Sequence, residues 1–196
     1  MNCTRLLPLL LFTAMLGACQ STGTSTLAKV SPNSRIAIAS IVNATGQPLE
    51  LPSGTVLDDL RQIMGIDDKK QLAVPDLLLG RFILAAGTQG YTVLPFDRAH
   101  QVFSGSLRDR AAIIEKARAA GLQGAVVLVM LRRWDDSLWY SSRIILVSMD
   151  ITVARIGDGK ILDERTIRNY AVPVSASLSA YQAANDAARW VADHLF

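Results

Sequence analysis

The side chains that could do chemistry are few and scattered. Cys3 and Cys19 are the two cysteines, both near the start, so everything after Cys19 lacks a thiol, a disulfide and a thiolate metal site. His100 and His194 are the two histidines. A zinc site needs three or four ligands at compatible spacing, and neither histidine has a second ligand in register with it, so both read as surface or packing residues. Ser104-Gly105-Ser106, close to His100, does not match the G-x-S-x-G of a nucleophile elbow and reads as a loop leading into a helix N-cap. Gly87-Thr88-Gln89-Gly90 lacks the Gly-Lys-Ser/Thr of a phosphate loop and reads as a helix end followed by a turn. Asp135-Asp136 would be two of the six or more oxygens that calcium requires. These residues predict no enzyme, no metal and no cofactor.

Trp134-Asp135-Asp136-Ser137-Leu138-Trp139-Tyr140 is the richest stretch, with three large aromatics interleaved with two carboxylates. Trp and Tyr are enriched among interface hot spots, so Trp134, Trp139 and Tyr140 are candidate contacts for a protein partner. The alternative is a strand connection whose aromatics fold back over the sheet.

Cys19 is the one thiol at a marked position. Residues 1–5 carry a single positive charge, Arg5, and Leu6 to Leu16 is an apolar run broken only by Pro8 and Thr13. A membrane span needs roughly 20 apolar residues, so residues 1–18 read as a cleavable signal peptide. Leu16-Gly17-Ala18-Cys19 looks like the lipobox read by lipoprotein signal peptidase. That likeness implies acylation of Cys19 and anchoring in the lipid bilayer, because two acyl chains already hold a protein stably. Gln20 after the cysteine implies, by the lipoprotein sorting rule, transfer to the outer membrane facing the periplasm. Residues 19–34 read as a lipidated cysteine followed by a flexible tether rich in Ser, Thr and Gly.

Residues 35–196 have the mass and composition of one globular domain: the chain is 50% apolar and 19% charged. The net charge of +3 is small and includes Arg5 of the leader. Lys69-Lys70 and Arg132-Arg133 each sit near aspartates, and no basic stripe forms, so nucleic acid is not an expected partner.

Arg35 to Val42 is apolar on both alternating faces, which predicts a strand covered on both sides, ended by the turn residues Asn43-Ala44-Thr45-Gly46. Ser53 to Met64 suggests a short helix and Asp67 to Lys70 a solvated loop. A helix is expected from Pro75 to about Ala86, stopped by Gly87 or Gly90, and a strand over Tyr91–Phe96. Ser106 is the expected cap of a helix from Leu107 to Ala120, buried along Leu107, Ala111, Ile114 and Ala117, with Gly121 beyond its end. Ala125 to Leu131 reads as a central strand and Ile145 to Val153 as an alternating one. Asp158-Gly159 is a hairpin turn leading to a peripheral strand through Val172. Ser179-x-x-Gln182 opens a terminal amphipathic helix that buries Tyr181, Ala184, Ala188, Val191 and Leu195. The order predicts a single α/β sandwich of two or three layers, a mixed sheet with its antiparallel half on the C-terminal side and helices packed on it.

Several segments together resemble a bacterial lipoprotein family with a TolB-amino-terminal/CsgG/LpoB-like α/β domain. Ile36 to Gly46 is similar to its opening strand and Asn-x-Thr-Gly turn, Gly90 to Pro95 to its Gly-Tyr strand, and Asp158-Gly159-Lys160 to its hairpin. Gln123-Gly124 stands where Ala-Asp is usual. The resemblance implies an α/β fold and a non-catalytic interaction module in assembly or regulation of a cell-envelope complex, meeting an envelope protein or its own copies. Its motifs are structural, so no catalytic residues carry over. Two other roles compete with this one: an auxiliary lipoprotein of an ABC-type transport system, and a periplasmic hydrolase built on His100 and Ser104.

Overall fold

A computed structural model describes residues 27–31, 33–51, 73–103, 109–175 and 179–195. The signal peptide, the lipobox with Cys19, the suggested helix at Ser53–Met64 and the loop at Asp67–Lys70 lie outside them. The strands are β1 (Arg35–Ile38), β2 (Val42–Asn43), β3 (Thr92–Val93), β4 (Ala125–Asp135), β5 (Ile144–Arg155) and β6 (Ile161–Pro173). The helices are α1 (Val74–Thr88), α2 (Phe96–Val102), α3 (Arg110–Ala119), the single turn α4 (Trp139–Ser142) and α5 (Ala180–Leu195). One mixed sheet runs β3-β1-β4-β5-β6, with β2 also on β4. β1 and β2 lie parallel to β4, as β3 does to β1, and β5 and β6 are antiparallel.

The continuous apolar run of β4 is explained by cover on both faces. Val127, Val129 and Leu131 join Ile145, Val147, Met149, Ile151 and Val153 of β5 on one face, each 2% exposed or less. That face packs under α1 and α5 through Leu77, Leu78, Phe82, Tyr181, Ala184 and Ala188. On the opposite face Val126, Ala37 and Ala154 meet Phe103, Ile113 and Ala117 in a second, smaller cluster under α2 and α3. The sandwich therefore has three layers.

Local chemistry accounts for the element ends. Asp76 Oδ2 accepts a hydrogen bond from Ala73 N at 3.0 Å, and Pro75 occupies the first turn of α1, where its missing N–H costs nothing. Beyond α3 the chain turns through Gly121 at φ +69°, and Leu122 N reaches back to Ala117 O at 3.0 Å. Gly124 must be glycine for a different reason. Its φ is +91°, and a Cβ there would stand 1.9 Å from Arg35 O, so β1 can approach β4 only over a bare Cα.

Four local expectations are corrected. The expected first strand divides into β1 and β2, although Ala39 N still donates to Val127 O at 2.9 Å and keeps the break against β4. The strand at Tyr91 stops at Val93. Pro95 instead precedes α2, a helix not anticipated, because its fixed φ and lost donor suit the residue before a first turn. Helix α3 starts at Arg110 and not Leu107: Asp109 is its cap, accepting from Ala111 N at 3.0 Å, whereas Ser106 lies outside the described residues. Its buried face is Ile113, Ile114 and Ala117, and Ala111 points to solvent. Finally, the packed body begins upstream of β1. Leu27 and Val30 are buried in the main cluster, and Tyr91 Oη donates to Leu27 O at 3.1 Å.

Candidate functional site

The aromatic stretch lies where β4 ends. Asp135 organises it: its carboxylate accepts from Ser137 N at 3.1 Å, from Ser137 Oγ at 2.6 Å and from Arg133 Nη2 at 2.6 Å. These contacts, Ser137 first and Arg133 next, hold its pKa at about 2, so it is fully ionised and already satisfied. Trp139 and Tyr140 then form the turn α4, their rings edge to face at 5.6 Å. The chain returns through Arg143 at φ +56°.

The three candidate aromatics separate in space. Trp134 is 8% exposed and belongs to the main core, because the sheet register faces it, like Val147 opposite it, toward α5 and α1. Trp139 is half-buried against that core. Tyr140 is 76% exposed, with Leu138 beside it at 36%. The turn thus offers Leu138, Trp139 and Tyr140 to solvent, while Trp134 supports it from beneath.

A second surface was not legible in the sequence. Among the described residues, helices α2 and α3 cover the part of their face near the start of β4, and beside them is an open cleft of about 330 Å³. Its floor is a polar lattice. Arg132 Nε donates to Asp150 Oδ2 at 2.8 Å, while Thr166 Oγ1 and Arg168 Nη1 donate to Asp150 Oδ1 at 2.9 and 3.0 Å. Burial pushes the Asp150 carboxyl up, but the hydrogen bonds from Arg132, Thr166 and Arg168 outweigh it and hold the group below its ordinary value. Arg110 lies 3.6 Å from Glu164 at the rim. The only sequence signal was alternation: Asp150 and Thr152 interrupt the apolar run of β5 at the same parity as Glu164, Thr166 and Arg168 on β6.

A third feature joins β6 to α5. Tyr170 stacks on Trp190 at 5.0 Å, and Trp190 stacks on His194 at 3.7 Å. His100 stacks on Phe96 at 5.9 Å. The described residues contain no group of three potential metal ligands, and no described helix is long and apolar enough to cross a membrane. The Ser104–Ser106 segment lies outside the description.

No family model matches this chain, and comparison with curated proteins finds no relative. Solved structures align with this chain at low identity and low structural overlap. Lipoprotein GNA1162 from Neisseria meningitidis is 13% identical with a TM-score of 0.40, over 68% of this chain and 80% of that one. A PelC dodecamer from Paraburkholderia phytofirmans is 14% identical with a TM-score of 0.37, over 88% and 94%. The LpoB C-terminal domain from Salmonella enterica is 18% identical with a TM-score of 0.34, over 74% and 85%.

Proposed function

We infer that this chain is an outer-membrane-anchored periplasmic lipoprotein whose body is a non-catalytic interaction module serving a cell-envelope complex. In this reading residues 1–18 are removed, Cys19 carries the acyl chains, and the Ser/Thr/Gly-rich stretch before Leu27 links anchor to body. One observation carries the reading. In the N-terminal segment, Lys29, Val30, Ser31 and Ser34 lie beside Gly124 and Gly157, at the end of the sheet where β4 starts. The Leu138–Tyr140 turn sits where β4 stops. At roughly 3.4 Å per residue, the 11 residues of β4 put these ends some 35 Å apart. An anchor at one end presents the exposed aromatics away from the bilayer. In the open cleft the Arg132, Asp150, Thr166 and Arg168 side chains are tied to one another, which suits recognition.

Two measurements on the full-length protein in cells test this. Metabolic labelling with a fatty-acid analogue should mark the wild type and not Cys19→Ser; label retained by Cys19→Ser overturns the anchor. A photoreactive residue at Tyr140 should give a discrete protein adduct, and one at Gly157, at the anchored end, should not. Absence of an adduct at Tyr140 would mean that the turn is not the contact surface.

A further inference from the structure

The outer edge of β6 is the longest unpaired backbone among the described residues. β6 has 13 residues and closes the sheet order, and nothing described pairs with its outer side. Such edges are normally blunted by charged side chains, proline, bulges or brevity. Here the guard of the stretch Asp163–Arg168 is charge: Asp163, Glu164, Arg165 and Arg168 stand in it, while Pro173 comes at the far end and the two register irregularities against β5 fall between Ile161 and Asp163 and between Ile167 and Tyr170. Ile161 and Tyr170, 38% and 44% exposed, flank it.

Its charges decide what could pair there. Two copies joined antiparallel at one edge are related by a two-fold axis perpendicular to the sheet, so every permitted register is centred on one residue facing itself. Centred on Glu164, Arg165 or Arg168, the axis sets like charges against each other, which is unfavourable in directly opposed pairs. Centred on Ile167, it opposes Glu164 to Tyr170 and Arg165 to Asn169 and makes no ion pair. Centred on Thr166, it opposes Glu164 of each copy to Arg168 of the other, twice, and sets no like charges against each other. Both side chains lie on the open-cleft face and are 59% and 57% exposed; within their own chain Glu164 meets Arg110 and Thr152, and Arg168 meets Asp150 and the Ile167 carbonyl.

We propose that β6 pairs with β6 of a second copy of this chain about a two-fold axis at Thr166, with Glu164 and Arg168 exchanging ion pairs across it. The two open clefts then join into one continuous polar floor across the paired sheets. This does not depend on the anchor or on the Tyr140 surface.

The test is single-cysteine crosslinking of the full-length protein under mild oxidation, read on a non-reducing gel, with the wild type reporting any contribution from Cys3 and Cys19. Thr166→Cys should give a disulfide dimer, because the residue faces itself. Glu164→Arg or Arg168→Glu on that background should lower the dimer by about tenfold, since each variant turns two attractive pairs repulsive. Co-expression of the two differently tagged variants should restore the crosslink as the heterodimer alone. At positions 164 and 168 one variant then carries two cations and the other two carboxylates, so both pairs across the axis become attractive again. No dimer at Thr166→Cys overturns the proposal. So does a yield indifferent to both charge reversals, or a mixture that pairs statistically.

Discussion

β4 and β6 are nearly equal in length, 11 and 13 residues, and both flank β5, yet they have opposite lives. β4 has a neighbour on each side and helices over both faces near its start, so it is almost wholly apolar there. Among the described residues β6 has a neighbour on one side only, and most of its own residues are exposed. The strand that stabilises the fold is closed off, and the strand left open contributes little to the core. Evidence for function should therefore be sought on β6 and at the turn beyond β4.

The sharpest way to break this contrast is to charge the centre of β4. Val127 is fully buried, and Val127→Asp would strand a carboxylate with no partner, at a cost of about 5 kcal/mol or more. That rivals the stability of a whole domain, so the variant should fail to accumulate folded or should melt far lower. An unchanged melting temperature would place Val127 outside the core.

Next in size is the separation of the aromatics. Trp134→Ala should cost about 3–5 kcal/mol, the range of large-to-small core changes. Tyr140→Ala should cost at most about 0.5 kcal/mol, as for an exposed side chain. Thermal melting of the two variants side by side measures the contrast, and equal losses would erase the distinction between support and contact surface.

The smallest effect is electrostatic. Asp135 has a folded pKa of about 2, against about 3.9 in an unfolded chain. A folded value below the unfolded one adds stability that is complete above about pH 4 and is lost as pH falls through about 2. Its side chain is 28% exposed, so solvent screening limits the gain to about 1 kcal/mol or less. Asp135→Asn should melt slightly below the wild type at pH 7 and match it near pH 2. A gap that persists at pH 2 would assign the loss to turn geometry and not to charge.

Periodicity and turn chemistry in the sequence were enough for the α/β class, the central strand at Ala125–Leu131, the Asp158-Gly159 hairpin, and the terminal helix with Ser179 Oγ accepting from Gln182 N at 3.2 Å. Each depends on residues near one another in the chain, whose propensities act locally. The burial of Trp134, the exposure of Tyr140, the Asp150 lattice and the open edge of β6 were decided only by the tertiary structure. Trp134 and Tyr140 are both aromatics at the end of one strand, and nothing local tells them apart. The register of β4 against β5 turns the first inward, and α4 carries the second out. Asp150 meets Arg132 and Arg168 because three strands align at one level, a coincidence of register that no stretch of sequence contains.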